Sequence, residues 1–409
     1  MNINVSSEIG HLSGVIVHTP GHEVSLVNPE LKDELLFDDI IFEDDARGEH
    51  LDMLDIFKTA MPEHGKVLEV IELFREAIHN KDAHAFYIEQ LIKEFPEANL
   101  SVIEKELLGL EPDDLLRFST QGTLSGSKEF NLLPSPNLLF TRDLAAVVGN
   151  NILVSRAATR TRLRESLMME TLVQFHPLFD SVRDNAIRIS GNQSIEGGDI
   201  LVESEDLVLI GMSERTSFTG LMKAADGLLN HGVKTVLAVD IPKQRASMHL
   251  DTIFTFASKN ECIAFPPAII EQQDNVVALQ KEGDKITSQA HSSLQQALNE
   301  FSGVDYQFIK CGGEDRTSQF REQWTDGANV FALAPGIIVG YERNTKTFNT
   351  LIDHGYSYMN QFEFIEEYSK KDLEISDTNK IAISFQGHEL CRGRGGARCM
   401  TMPISRAVL

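Results

Sequence analysis

The chain has 409 residues, 42% hydrophobic and 24% charged, with 61 acidic against 37 basic side chains and a formal net charge of -24. A chain of this size holds enough apolar material for a large core, and its acidity excludes the basic surface that polyanion binding requires, so no nucleic-acid partner is expected. Met1 to Val5 lacks a basic, apolar leader, and the longest apolar stretch, Val330 to Val339, is too short to span a membrane. The four cysteines form neither a disulfide framework nor a C-x-x-C pair. A cytoplasmic protein with free thiols and no membrane partner is expected.

Taken along the chain, apolar runs predict strands at Val15 to His18, Ala145 to Val148, Ile200 to Val202, Leu207 to Ile210, Thr235 to Val239, Ile253 to Phe256, Val330 to Leu333, Ile337 to Tyr341 and Ile381 to Phe385. Between the first two lies a block of Leu, Glu, Lys and Ala at helical spacing: Val67 to His79, Ala83 to Phe95, Ser101 to Leu108 and Pro112 to Phe118. It reads as an all-helical insertion over about residues 66–130 of a single catalytic domain. Two strand pairs, Gly198 to Ile210 and Asn329 to Tyr341, each precede a helix, Thr216 to Leu229 and Thr345 to His354. That recurrence suggests ββαβ units repeated around an axis.

Chemistry concentrates at the C-terminal run from Cys391 to Pro403, where Arg392, Arg394 and Arg398 and three glycines precede Cys399. Glycine admits close backbone approach, and nearby guanidinium groups favour the thiolate, so Cys399 is the candidate nucleophile. An ordinary cysteine is merely buried, which is the reading kept for Cys262, Cys311 and Cys391. His249-Leu250-Asp251 heads an apolar strand, so an alternating backbone would turn the imidazole and the carboxylate to one face. Glu196-Gly197-Gly198-Asp199 and Phe140-Thr141-Arg142-Asp143 bring further acids to strand entrances, positions that by themselves are often no more than turns. Asp143, Glu196 and Asp251 with the base His249 and the thiol Cys399 suit one planar cation, a guanidinium. His249, Asp251, Glu196 and Asp199 would also be acceptable metal ligands, but no H-E-x-x-H spacing is present and a metal leaves the cysteine loop without a purpose.

These residues resemble the arginine deiminase family, within the guanidine-modifying superfamily. The resemblance runs through Ser7-Glu8-Ile9-Gly10, Glu34 to Asp39, Phe140 to Asp143, Glu196 to Asp199, Glu214-Arg215-Thr216-Ser217, Met248 to Thr252, Tyr341-Glu342-Arg343-Asn344 and Arg394 to Pro403. It implies an α/β fold, a five-bladed pseudo-symmetric β/α propeller, with free L-arginine as substrate, citrulline and ammonia as products, and no cofactor or metal. By motif, Cys399 would be the nucleophile, His249 and Glu196 the proton-handling pair, and Asp143 and Asp251 the guanidinium clamps. Arg215 and Arg162 resemble residues that hold the substrate carboxylate, Arg394 a gating arginine, and Leu36, Asn137 and Phe140 pocket-lining residues. The run Leu144 to Val148 lacks the family's usual aromatic, and Gln174 to Pro177 replaces a more basic-aromatic version. An agmatine deiminase or an amidinotransferase is the nearest alternative, with a metal-dependent hydrolase behind them. Oligomeric assembly is left open.

Overall fold

Five sheets of one plan organise the chain in the computed structural model, which describes residues 2–124, 128–129, 132–371, 373–376 and 378–409. In each, an antiparallel pair is extended by a third strand parallel to one of its members. Leu12–Val17 lies between the antiparallel Met402–Arg406 and the parallel Lys66–Glu69, joining both ends of the chain. The same arrangement recurs in Ala145–Val148, Asn151–Val154 and Ile187–Arg188, and in Ile200–Val202, Leu207–Met212 and Thr235–Asp240. It appears again in Phe254–Ser258, Glu261–Ala264 and Gln307–Lys310, and in Phe331–Ala334, Ile337–Tyr341 and Ile381–Phe385. The third sheet also carries the hairpin Val276–Glu282 and Lys285–His291.

The strands read as continuous apolar runs because both faces are covered. Leu207–Met212, for example, is buried at all but its last residue, with the helix Phe218–Asn230 packed against it. Ser217 starts that helix by accepting from the Gly220 amide.

The predicted helical block is only partly helical. Lys66–Glu69, placed by periodicity in a helix, is a strand on Leu12–Val17, and the helix begins at Val70. Pairing with a preformed strand edge overrides local propensity there. Helices Val70–Ile78 and Lys81–Glu94 pack on Leu163–Phe175, which ties the block to the second sheet. Gly122, at φ 76, closes helix Pro112–Gln121, and a Cβ there would meet the Leu132 carbonyl oxygen at 2.3 Å. The helix Glu43–Ala60 was not expected, since Gly48 in its middle breaks an otherwise helical pattern.

What positions the site is the entrance to each sheet. The short 3-10 turns Thr141–Leu144, Gly197–Asp199 and Leu250–Thr252 precede the first strands of the second, third and fourth sheets, the middle one packing against both others. Each carries a buried acid, Asp143, Asp199 and Asp251. Glu8 and Asp326, also buried, stand before the first and fifth sheets. Among the described residues, no helix is long and apolar enough to cross a membrane.

Candidate active site

Cys399 lies in a turn that only glycine lets close. A Cβ on Gly395 would lie 2.4 Å from the Phe140 ring, and one on Gly396 would lie 2.6 Å from the Asn329 carbonyl oxygen. Tyr341 Oη donates to the Gly395 carbonyl at 2.7 Å, and the Cys399 amide donates to Asn329 Oδ1 at 3.0 Å. Asn329 Nδ2 in turn reaches the Asp251 carbonyl at 2.9 Å. One buried amide therefore links the backbones of Cys399 and Asp251, and Cys399 Sγ stands 3.8 Å from Asp251 Oδ2.

The arginines around the thiol do not act as the sequence suggested. Burial pushes the Cys399 thiol well above its ordinary range, Asp251, Asp143 and Asp326 push the same way, and Arg398 pulls against them without prevailing. Arg398 is committed elsewhere: it donates to Glu8 at 2.9 and 3.2 Å and to Asp251 Oδ2 at 2.7 Å. Arg392 pairs with Asp39 and Glu389, and Arg394 lies over Trp324. In this state the thiol keeps its proton.

His249 and Asp251 part company. His249 is extended, Leu250–Thr252 forms a 3-10 turn, and the strand starts only at Phe254. The expected strand alternation does not hold, and the turn sends the two side chains to different partners. His249 Nε2 bonds Glu196 Oε2 at 2.8 Å, with Nδ1 3.6 Å from Asp143 Oδ1. Burial alone would lower the imidazole pKa, but Asp143 and the Glu196 hydrogen bond outweigh it and raise it to about 9. His249 is thus an imidazolium near neutrality. Glu196 is held ionised against its burial by Arg215, His249 and Arg162.

Arg162 and Arg215 both reach this cluster. Arg162 Nη1 donates to Asp143 Oδ2 at 2.6 Å and lies 3.6 Å from Glu196 Oε2, while Nε donates to Glu165 at 2.8 Å and Nη2 to the Asn137 carbonyl at 3.2 Å. Its donors are largely spent on these groups. Arg215 Nη1 is 3.9 Å from Glu196 Oε2 and its Nε makes a long bond to Glu214 at 3.4 Å, so that among the described residues it is the freer of the two cations. Asn137 Nδ2 donates to the Leu35 carbonyl at 2.8 Å, and the Phe140 ring lies beneath Gly395, 6.3 Å from Phe37. Leu36, at φ 65, gives its carbonyl to Arg245 Nη2 at 2.6 Å. Arg394 faces away, onto Trp324.

Sequence reasoning gave no role to Glu8, Arg142, Glu165 or Asn329, and did not foresee that Arg398 serves Glu8 and Asp251; Arg142 donates from Nε to the Arg398 carbonyl at 3.3 Å. Arg398, Glu8 and Arg142 all lay within quoted motifs, whereas Asn329 carried no local signal. Asp199, weighed as a metal ligand, is instead a fixed acceptor for Ser213, Thr216 and the Leu250 amide.

Asp143, Glu196 and His249 could offer three ligand atoms within 4.8 Å of one another. The Arg162 guanidinium already lies against two of the three, however, and His249 Nε2 is bonded to Glu196. A second cation would enter against that charge, so the donor set fits a metal poorly.

A family model described as Arginine deiminase matches residues 33–406. The chain belongs to the arginine deiminase family. Arginine deiminases of Listeria monocytogenes and Mycoplasma capricolum are 34% and 35% identical to it, each over 99% of this chain and over 98% and 97% of their own lengths. One from Bacillus cereus is 35% identical over 99% of this chain and 98% of its own. Among solved structures, dimethylarginine dimethylaminohydrolase as an adduct with S-methyl-L-thiocitrulline superposes with a TM-score of 0.52 at 14% identity, covering 96% of this chain and 99% of that one. The N-terminal domain of ArgZ, a cyanobacterial arginine dihydrolase bound to product, gives 0.54 at 13% identity, covering 97% and 98%. At such identities these structures establish a shared mixed α/β fold and nothing about residues.

Proposed function

We propose that this family member hydrolyses free L-arginine to L-citrulline and ammonia, with Cys399 as the covalent nucleophile. The observation that carries the reading is what the clamps leave open. Among the described residues, Asp143 Oδ1 is buried without a hydrogen-bond donor, and Asp251 Oδ1 has only the Cys399 thiol at 3.9 Å. A guanidinium brings five N–H groups and a positive charge. Placed between these oxygens, it offsets the acids that hold the thiol protonated, so that the thiol gives its proton to solvent as substrate enters and the thiolate stands beside the guanidinium carbon.

Thiolate attack on that carbon forms the C–S bond. The His249 imidazolium passes a proton to one terminal nitrogen, the C–N bond breaks, ammonia leaves, and a thiouronium remains on Cys399. His249, now neutral, takes a proton from water as it adds to the same carbon. The C–S bond breaks and citrulline departs. Glu196 keeps the ring oriented throughout, and Asp143 and Asp251 hold the nitrogens that stay. Arg215 takes the substrate carboxylate, joined by Arg162 where one of its present contacts is exchanged. Two cations at that end disfavour agmatine, which has no anion to meet them.

We further infer that the five sheets are the blades of a single propeller domain interrupted by the segment at about 66–130. The recurrent strand plan and the acid before each leading strand support it. Four unpaired cysteines suit a reducing, cytoplasmic setting.

The test incubates the protein with L-arginine, in parallel with agmatine, with EDTA, and with Cys399→Ala. Equal citrulline and ammonia, insensitive to EDTA and absent in the variant, are expected. Turnover that survives the loss of Cys399, or that EDTA removes, would overturn the mechanism. Preference for agmatine would overturn the assignment of Arg215.

A further inference from the structure

Five buried acids stand before the five leading strands, and four are held. Glu8 and Asp251 take Arg398, Asp143 takes Arg162, and Asp199 takes Ser213, Thr216 and the Leu250 amide. Asp326 is the exception. It is 2% exposed and in the left-handed region at φ 61; among the described residues no side chain donates to it, and the Gly395 amide is the one donor near enough to act on it, without closing a full hydrogen bond. Burial raises its pKa to about 6 and Asp251 adds to the rise, with the Arg394 guanidinium, the Gly395 amide and Arg245 pulling the other way.

Arg394 is short of partners in the complementary sense. Its guanidinium carbon lies 3.8 Å from the centre of the Trp324 ring, and Nη2 makes one long bond to the Ala246 carbonyl at 3.3 Å. Nε and Nη1 are buried with no acceptor. A guanidinium with two donors lacking an acceptor and a carboxylate that no side chain engages are the halves of a bidentate pair, and an aromatic face two residues from that carboxylate supplies the third wall. Arg394, itself at φ 67, opens the turn that ends in Cys399. The catalytic groups below that turn are closed from solvent, His249 at 2% and Cys399 at 4% exposure, so substrate entry requires a segment here to move.

We propose that Trp324 and Asp326 form the seat of the Arg394 guanidinium, and that Asp326 is a positioning residue that acts through Arg394 to set the turn carrying Cys399. For its effect on turnover the proposal rests on the deiminase reading; for the seat itself it does not.

Trp324 is the single tryptophan of the chain and its ring is partly exposed, so emission reports the seat directly. Asp326→Asn, Arg394→Ala and the double variant would be compared with wild type in emission without substrate and in kcat/KM for L-arginine. Asn suits the left-handed backbone at 326, so the fold should persist. Asp326→Asn and Arg394→Ala are expected to shift emission in the same direction, with the double variant matching Arg394→Ala. In kcat/KM, Asp326→Asn alone should lose about tenfold and cost nothing further once Arg394 is gone. Asp326→Glu, which keeps the charge, should recover part of the loss. Independent effects that multiply in the double variant, or wild-type emission in Asp326→Asn, would overturn the seat. A coupled emission cycle in a protein that does not turn over arginine would leave the seat standing and sink the deiminase reading instead.

Discussion

Replacing Glu196 by Gln removes the charge that holds His249 while keeping the shape of the side chain. The lost interaction is a buried, charge-assisted hydrogen bond of 2.8 Å. Bonds of that kind are worth about 1.5 to 3 kcal/mol, which converts to roughly one to two pKa units. The His249 pKa should therefore fall from about 9 by that amount or more, since Arg162 and Arg215 lose a shared counter-charge at the same time. The sign follows from the role assigned to the ring. If the imidazolium delivers the proton to the leaving nitrogen, kcat declines as pH rises through the His249 pKa, so the alkaline limb of the profile moves toward neutrality in the variant. The same linkage acts on stability. A histidine raised above its unfolded value of 6.5 contributes stability that is complete below that value and lost as pH rises through about 9, and the variant should lose it earlier. Profiles of kcat between neutral and alkaline pH would be read beside denaturant melts at the same pH values. An alkaline limb that stays in place in a folded Glu196→Gln protein would refute the acid role of His249.

Three further outcomes follow from the packing. Arg398→Ala strips Asp251 of its guanidinium and leaves Glu8 with Arg142 at 3.9 Å, and should cost about 3 to 5 kcal/mol in urea unfolding; a loss under 1 kcal/mol would mean that water reaches the two carboxylates. Glu8 resists the upward push of burial because Arg398 and Arg142 hold it down to about 2 from the ordinary 4.5. Its stabilisation is present above 4.5 and lost as pH falls through about 2, so the stability gap between wild type and Glu8→Gln should narrow across that window and stay flat above it. Gly395→Ala drives a methyl into the Phe140 ring and should destabilise by about 1 to 3 kcal/mol, together with a loss of turnover that Phe140→Leu partly restores; a fully active single variant would show that the turn is looser than its geometry implies.

Some of this was open to reading before any fold was known. The glycines and arginines before Cys399 marked a backbone that must come close to something, and eight motifs in family order named the chemistry. Apolar runs such as Leu207 to Ile210 and Ile381 to Phe385 were legible as strands because strands covered on both faces carry no polar interruption. Helix Glu43–Ala60 was not legible, because Gly48 and an acidic face lower the local signal and burial against the rest of the chain supplies what propensity lacks. Lys66–Glu69 was misread for the opposite reason, its helical spacing yielding to the open edge of Leu12–Val17.

The division runs along sequence separation. Residue types and short-range spacing suffice to identify a nucleophile, a base and acids, because reactivity belongs to the side chain and the family motifs are local. Which acid serves which group is settled by contacts over long separations: Glu196 with His249 across 53 positions, Cys399 with Asp251 across 148, and Arg398 with Glu8 across 390. Those long-range contacts also set the protonation states: burial keeps the Cys399 thiol protonated, and the acids brought against His249 outweigh burial and keep the imidazole charged. The unpaired Asp326 belongs to the same class, since a buried charge is short of a partner only relative to everything folded around it.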